Sequence, residues 1–188
     1  MIGPPVSGVP MISPVMLIGQ APGDKEGPAG KPFAWTAGKT MFKWFASIGH
    51  DEDSVRARIY MAAVCRCFPG KNPKGGDRVP APDEIARCGQ FLATELALVR
   101  PRLIIPVGKL AIAQVLPDAD QLVDSVGTIH RATVHGHAVD VAPLPHPSGA
   151  STWHRTEPGK TLLDKALAAI ARHPAWRGLA TTGAAVAL

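Results

Sequence analysis

Cysteine and long hydrophobic runs are the scarce features of this sequence. Cysteine occurs only three times in 188 residues, and a small odd number of thiols does not build a framework of disulfide bonds. No apolar run approaches the roughly 20 residues that span a bilayer, and the amino terminus lacks the charged start and long apolar middle of a secretion signal. We therefore expect a cytoplasmic protein in a reducing environment, with no membrane partner.

The composition is that of a globular chain with one core. Hydrophobic residues occupy 46% of the positions, so we expect one domain over residues 1–188, with an ordered core from about residue 12 to about residue 175. The first dozen residues and the Ala-, Gly- and Thr-rich tail after Pro174 are expected to be held loosely. The formal net charge is +5 and the isoelectric point is near 9.4, which permits a polyanionic partner but does not require one.

Short apolar runs alternate with helical patterns along the chain. The runs are typical of buried strands, and their nearly continuous hydrophobicity favours a parallel sheet covered on both faces. The alternation predicts an α/β fold, a three-layer α/β/α sandwich with a central four-stranded parallel sheet. The predicted strands are Val15–Gly19, Ile59–Val64, Leu103–Val107 and Ala138–Leu144, and the predicted helices are Ala37–Ile48, Pro82–Val99, Lys109–Leu116 and Lys160–His173.

Functional residues are expected just after the strands, because ligands of open parallel sheets bind outside the carboxyl ends of the strands. The first strand is followed by GQAPG, the second runs into AAVCRCFPG, and the fourth is followed by PLPHPSGASTWHR. A long Pro-, Gly- and Lys-rich loop, Phe68–Asp83, follows the second strand and is expected to be exposed.

Six motifs in order carry a resemblance to a known family. They are LIGQAPGDKEGPAGKPF, IYMAAVCRCFPGKN, PAPDEIARCGQFL, VRPRLIIPVGKLA, SVGTIHR and LPHPS. In order and spacing they resemble the uracil-DNA glycosylase superfamily, within it the branch of family-four and family-five enzymes. The resemblance implies a monofunctional enzyme that flips uracil out of DNA, hydrolyses its N-glycosidic bond without a cofactor, and so starts base excision repair.

The resemblance also assigns catalytic residues. His146 in LPHPS corresponds to the family histidine that donates to O2 of the departing base, where negative charge develops. Gln20 stands where family-four members place a glutamate that positions or activates water; an amide can orient a water but cannot take its proton. Asp24 or Glu26 could instead stabilise the cationic sugar, and we favour Asp24, although a Gly-Asp pair after a strand is often only a turn.

The pocket for the base is implied by the first motif. Phe33 matches the family's stacking aromatic, and Trp35 either lines the same pocket or packs the following helix. Glycine and proline in the loop that contains Gly19, Ala21 and Gly23 let its backbone approach a ligand closely.

Base selection is a departure from the family. Family-four enzymes usually carry an asparagine at the position of Ala63, where it reads O4 and N3 of uracil, and losing such a buried polar partner can change discrimination strongly. Three alternatives stay open: backbone groups with Arg66 or Asn72 read the base, the pocket also accepts xanthine or hypoxanthine, or catalysis has been lost.

DNA contacts are implied after the catalytic histidine. Ser148 and the backbone of Gly149 and Ala150 resemble phosphate contacts. The family inserts a wedge into the duplex from the segment that follows, so Trp153 or Arg155 could fill the gap left by the flipped base; an exposed loop with one packed tryptophan is the alternative. We expect uracil-containing DNA, single- or double-stranded, as the partner of a monomer.

The cysteines bear on a cofactor. Cys67 and Cys88 align with two of the four thiolates that hold an iron–sulfur cluster in family four, but the other two should lie near the amino terminus, where residues 1–19 contain no cysteine. Two ligands and Cys65 do not make a four-thiolate site, so we expect no iron–sulfur cluster and no metal. A zinc site of three cysteines and a histidine has no support in the local spacing.

A second class of function is a relative that binds or covalently traps uracil-DNA without turnover. One branch of the superfamily traps through a histidine in an inserted basic loop. The loop Phe68–Asp83 is basic and long but contains no histidine, which argues against that variant.

Overall fold

The computed structural model describes residues 2–73 and 75–180. It has a central sheet with helices on both faces. The strands are β1 (Val15–Gly19), β2 (Tyr60–Ala63), β3 (Leu103–Pro106), β4 (His130–Val134) and β5 (His137–Val141). The helices are α1 (Glu26–Ala29), α2 (Thr36–Ala46), α3 (Glu52–Arg58), α4 (Pro82–Val99), α5 (Lys109–Val115), α6 (Leu122–Ser125), α7 (Gly159–Arg172) and α8 (Pro174–Gly178), with a 3₁₀ turn at Trp153–Arg155.

The sheet has five strands in the order β2-β1-β3-β5-β4, one more than the four expected. β1 pairs in parallel with β2 and β3, and β3 pairs in parallel with β5, whereas β4 is antiparallel to β5. The expected all-parallel sheet is therefore corrected to a mostly parallel one. The missed strand lies at the edge, where its residues alternate between more and less exposed positions and lack the continuous apolar run of a central strand.

A two-residue turn joins β4 to β5. His135 and Gly136 have φ angles of 46° and 77°, and two consecutive positive angles match the right-handed twist of a hairpin. Beyond β5, Leu144 forms an isolated parallel bridge with Val107, the residue after β3. The chain after β5 therefore stays paired as it approaches the carboxyl edge of the sheet.

β1 is the centre of the hydrophobic core. All five of its residues are buried, and because side chains alternate across a strand, they enter two cores. Val15 and Leu17 pack with residues from α2, α3 and α7, whereas Met16 and Ile18 pack with residues from α4 and α5. Helices therefore cover both faces, as the apolar runs predict.

The segment before β1 is attached to the outer edge of β2 and to the loop that follows it. Its Val6 and Met11 are buried. Backbone N–H groups of the segment donate to carbonyls at 2.7, 2.8 and 3.2 Å, from Ile2 to Phe68, from Val6 to Arg66 and from Gly8 to Met61. These residues, expected to be held loosely, form a strap along the sheet.

The last described helix is also packed. Trp176 of α8 is buried, and its indole N–H donates to the carbonyl of Ile48 at 3.1 Å. Residues 181–188, the end of the tail that was expected to be loose, lie outside the described residues. Within residues 2–73 and 75–180, no helix is long and apolar enough to cross a membrane.

Candidate active site

A cavity of about 680 Å³ lies at the carboxyl ends of β1 and β2. Its walls come from the loop after β1, the start of α2, the loop after β2 and the segment after β5. Most of the residues predicted from sequence line this cavity, namely Gly19, Gln20, Ala21, Gly23, Asp24, Phe33, Trp35, Ala63, His146, Ser148, Gly149 and Ala150. Strand ends therefore bring together residues that are far apart in the chain.

The Phe33 ring lies directly over the end of β1. A β-carbon at Gly19 would come within 2.9 Å of Phe33 Cζ, so this close approach requires glycine. Phe33 itself has a φ of 54°, in the left-handed region that costs a residue with a side chain roughly 1–2 kcal/mol. Its carbonyl oxygen faces Gly38 of α2, where a β-carbon would lie only 1.8 Å away.

Arg56 of α3 holds the backbone around Phe33. Its Nη1 donates to the carbonyl of Pro32 at 2.9 Å, and its Nη2 donates to the carbonyl of Phe33 at 3.2 Å. The guanidinium also lies 4.7 Å from the centroid of the Phe42 ring, and its Nε donates to Glu52 at 2.9 Å. The planar fork of arginine suits two neighbouring acceptors, so the helices α2 and α3 position the aromatic face of the cavity.

His146 is a neutral hydrogen-bond donor in the cavity wall. Burial, followed by the nearby charge of His154, holds the pKa of His146 below its usual value. The backbone N–H of Ser148 donates to His146 Nδ1 at 3.2 Å, so the ring proton of the neutral form is on Nε2. Gly108 lies against the imidazole ring of His146, since a β-carbon at Gly108 would lie 3.0 Å from His146 Cδ2.

The pKa values of the two carboxyl groups that follow β1, Asp24 and Glu26, are shifted in opposite directions. Burial raises the pKa of Glu26 to about 7, although backbone N–H groups of Phe33 and Gly23 act in the opposite direction. A hydrogen bond from Lys71 lowers the pKa of Asp24. Glu26 is thus the carboxyl that can exchange a proton near neutral pH, whereas Asp24 is held as an ion pair.

The loop after β2, expected only to be exposed, forms a wall of the cavity. Lys71 Nζ lies 2.8 Å from Asp77 Oδ1 and 3.0 Å from Asp24 Oδ2. A β-carbon at Gly23 would lie 3.1 Å from Asp77 Oδ2 and 4.0 Å from Glu26 Oε1. Sequence reasoning missed Lys71 and Asp77, because no local pattern shows that this loop folds back onto the first.

Comparison with known families decides the relationship. A family model described as the uracil DNA glycosylase superfamily matches residues 7–171. The chain belongs to this superfamily. It is 30% identical over 138 residues to a Type-4 uracil-DNA glycosylase of Archaeoglobus fulgidus, covering 71% of this chain and 65% of the relative. It is 28% identical over 140 residues to a Type-4 uracil-DNA glycosylase of Saccharolobus solfataricus, covering 72% and 61%.

The similarity extends to the neighbouring branch of the superfamily. The chain is 30% identical over 139 residues to a Type-5 uracil-DNA glycosylase of Pyrobaculum aerophilum, covering 68% of this chain and 56% of that relative. In each of these three alignments the chain spans less than two thirds of the length of the curated relative, 65%, 61% and 56%.

Arg66, predicted to contact the base, does not line the cavity of this superfamily member. It is buried and pairs with Glu95 of α4, whose other carboxylate oxygen accepts the hydroxyl proton of Tyr60 at 2.7 Å. A guanidinium withdrawn from water needs such a partner, and that partner lies 29 residues away in sequence. In this structure Arg66 is therefore engaged by Glu95 and forms no part of the cavity wall. Asn72 is also absent from the cavity lining.

The predicted wedge residues, Trp153 and Arg155, are not among the residues that line the cavity. Trp153 packs against the hydrophobic core and against α7, where a β-carbon at Gly159 would come within 2.7 Å of its Cδ2. Arg155 Nε is 3.4 Å from His154 Nε2, and neither Trp153 nor Arg155 lines the cavity. Trp153 is thus packed in this segment, and a wedge role for Trp153 or Arg155 stays a prediction.

The three thiols do not fit the four-thiolate site of an iron–sulfur cluster. Cys65 is buried, and burial together with the neighbouring Cys88 raises its pKa. In the part of the chain that the structure describes, no group of three or more His, Cys, Asp or Glu side chains could hold a metal ion. A four-thiolate cluster needs one more cysteine than the sequence contains.

Proposed function

We propose that this protein is a monofunctional uracil-DNA glycosylase. It would hydrolyse the bond between uracil and deoxyribose in DNA, releasing uracil and leaving an abasic site for base excision repair. The observation that carries the proposal is the meeting of Phe33 and a neutral His146 donor in one cavity. Membership of the superfamily and relatives named uracil-DNA glycosylases support it.

The first step is the extraction of the nucleotide from the stack, at a cost of a few kcal/mol. Phe33 would stack on the flipped base, and its ring cannot retreat because the backbone at Gly19 lies directly beneath it. Ser148, Gly149 and Ala150 lie at the same cavity, where small residues let the main chain approach a DNA phosphate.

Bond cleavage leaves an electron pair on the uracil ring. The negative charge spreads to O2, and the Nε2–H of His146 would donate to that oxygen while the ring stays neutral. A preorganised donor of this kind typically contributes about 3–4 kcal/mol to the transition state. The lowered pKa of His146 favours the neutral donor over a protonated ring at neutral pH.

Water completes the reaction at C1′ of the oxocarbenium-like sugar. Its oxygen forms the new bond to C1′, and its proton must pass to a base. Glu26, with a pKa raised to about 7, is matched to that task at neutral pH, and the Gln20 amide would orient the water. Asp24, expected from sequence to stabilise the cationic sugar, would stay in the ion pair with Lys71, and the proton would pass to Glu26.

Base selection would then depend on the backbone of the cavity. Ala63 lines the cavity without a polar side chain, and Arg66 does not line it. Without a polar side chain at the position of Ala63, discrimination between uracil and other bases is weaker. We therefore propose that xanthine and hypoxanthine are excised as well as uracil, and a panel of oligonucleotides carrying each base tests this directly.

The proposal includes the remaining expectations from sequence. We propose DNA as the partner, one domain acting as a monomer, and catalysis without an iron–sulfur cluster. Light scattering on a sizing column measures the mass in solution. An absorbance band near roughly 400 nm in the purified protein, the sign of thiolate-bound iron, would contradict the absence of a cluster.

One assay tests the activity itself. Purified protein is incubated with a uracil-containing oligonucleotide, the product is treated with alkali, and strand cleavage is measured. We expect cleavage, and a loss of at least about a hundredfold in His146→Ala. His135→Asn is the matched control, because His135 lies in the β4–β5 turn and asparagine tolerates its positive φ.

Two results would favour the second class of function. Retained binding without cleavage indicates a DNA-binding relative, and a protein–DNA adduct that survives denaturation indicates a covalent trap. A His146→Ala variant that cleaves at a near-normal rate would overturn the catalytic assignment.

A further inference from the structure

Trp35 exposes its indole at the rim of the cavity. Its relative exposure is 54%, although a large aromatic side chain is usually buried or partnered. The other tryptophans are packed instead: Trp176 is buried, and Trp44 and Trp153 are packed against the core. Trp35 precedes the first residue of α2 and contributes nothing to the buried face of that helix.

An exposed lysine lies next to this indole, and two more are exposed on the same loop and helix. Lys39 Nζ, one turn along α2, lies 5.7 Å from the centroid of the Trp35 ring. Lys31 and Lys43 are exposed on the same loop and helix. Among the described residues, none of these three lysines is recorded in an ion pair, unlike Lys71 on the opposite wall. An aromatic face next to free positive charge is the usual arrangement for binding a single strand of nucleic acid.

The position of Trp35 separates it from the flipped base. Phe33 lies over Gly19 inside the cavity, and Trp35 stands two residues later at the exposed rim. A strand whose nucleotide enters the cavity can pass over this rim to reach the neighbouring nucleotide, since Trp35 both lines the cavity and is exposed. The base of that nucleotide can then stack on Trp35 only if it is unpaired.

We propose that Trp35 and Lys39 form a stacking shelf for an unpaired base adjacent to the flipped nucleotide. The shelf binds single-stranded DNA by stacking on the indole, with Lys39 close enough to contact the adjacent phosphate. The inference rests on the proposed function for the identity of the flipped base. It adds a preference for single-stranded or locally unpaired substrate.

Intrinsic fluorescence tests the shelf without any excision. The protein is titrated with a uracil-free single-stranded oligothymidylate, and tryptophan emission is recorded. We expect quenching that is largely lost in Trp35→Ala, and a Kd that rises about tenfold in that variant. Trp35→Phe keeps a stacking face and should recover much of the affinity. Phe91→Ala is the control, because Phe91 is similarly exposed at 53% on α4 and does not line the cavity.

Kinetics with uracil-containing strands separate a shelf from a structural role. Trp35→Ala should raise KM on single strands about tenfold and change kcat less, and its effect on fully paired duplex should be smaller. Lys39→Gln should make the plot of log Kd against log salt concentration less steep for single strands. The change in slope should correspond to the loss of about one phosphate contact. Unchanged quenching and Kd in Trp35→Ala, or equal losses on single strands and duplex, would overturn the shelf.

The two proposals fail in different assays. If uracil is not excised but oligothymidylate binding still depends on Trp35, the shelf stands and the glycosylase activity falls. If excision occurs and the binding does not depend on Trp35, the shelf falls and the activity stands.

Discussion

The guanidinium of Arg56 holds the carbonyl of Phe33 from a helix more than 20 residues farther along the chain, at 3.2 Å, and holds that of Pro32 at 2.9 Å. The backbone of Phe33 is left-handed, a conformation that persists only where its surroundings enforce it. The position of Phe33 in the cavity wall therefore depends on a residue that does not itself line the cavity.

Arg56→Lys should impair the stacking of the base. A lysine keeps the charge but cannot donate to both carbonyls in the same plane. We expect a rise in KM of about tenfold and a loss of stability of roughly 1–3 kcal/mol, as for a buried acceptor deprived of its donor. Steady-state kinetics and thermal unfolding measure the two effects. Arg87→Lys, on the exposed surface of α4, should change neither, and an equal effect in both variants would contradict this role of Arg56.

Gly19→Ala should displace the Phe33 ring. The added β-carbon would come within 2.9 Å of Phe33 Cζ, so the ring must move, at a cost of about 1–3 kcal/mol in stability. Excision should fall by more than tenfold because the base loses its stacking partner. Gly89→Ala in α4 meets nothing within 4 Å and should stabilise the protein by roughly 0.5–1 kcal/mol. Normal excision by Gly19→Ala would show that the ring position does not matter.

Excision should depend on pH through Glu26. Its carboxyl must be deprotonated to accept the proton of water, so kcat should rise with pH and level off above about pH 7, the value to which burial raises its pKa. Glu26→Gln should lower kcat by about a hundredfold and remove this rise. Asp24→Asn should keep it, because the pKa of Asp24 is lowered by Lys71. A rise that survives in Glu26→Gln would assign the proton to another group.

The stability of the fold should carry the opposite dependence on pH. Folded Glu26 keeps its proton up to about pH 7, whereas the ordinary value is 4.5, so the folded state binds more protons between these two values. Its contribution is therefore fully present at lower pH and is lost as pH rises towards 7. The free energy of unfolding, measured with denaturant, should be compared between Glu26→Gln and the parent at pH 4 and at pH 8. Between these two pH values the difference should change in favour of Glu26→Gln. A difference that does not change with pH would contradict the raised pKa.

Lys71→Met should loosen the loop after β2. Lys71 pairs with Asp77 of its own loop and with Asp24 of the loop after β1. Without the lysine, the two carboxylates would lie near each other with no positive charge between them. We expect faster amide hydrogen exchange in residues 69–78 and a rise in KM of a few-fold. Lys160→Met, an exposed lysine at the start of α7, is the matched control. Unchanged exchange in Lys71→Met would show that the bridge does not hold the loop.

The central strands and the cavity were predictable because their signals are local. β1 and β3 are continuous apolar runs with every residue buried, and parallel strands place their carboxyl ends at one edge. That argument brings Gln20 and His146 together without any contact information. The edge strand β4 was missed because two of its five residues are exposed and only one is buried, so that its sequence resembles a polar loop.

Contacts between distant loops could not be predicted from sequence. Glu26 and Asp24 are two residues apart, yet burial raises the pKa of Glu26, whereas a hydrogen bond from Lys71, in the loop after β2, lowers the pKa of Asp24. Arg66 follows a strand end, as a base-reading residue would, but its partner Glu95 lies on α4. The pairing of Arg66 with Glu95 and the role of the loop after β2 both depend on contacts between residues that are distant in sequence.

The strap before β1 has a practical consequence for every experiment above. Val6 lines the cavity, and Ile2 bonds to Phe68 at the base of the loop that carries Lys71. A purification tag joined directly before Ile2 would lie next to the loop after β2, which forms a wall of the cavity. A positively charged tag at this position would itself attract DNA. The KM values of tagged and untagged protein would then differ for a reason unrelated to the cavity. Removing such a tag is therefore a condition for measuring the shelf at Trp35.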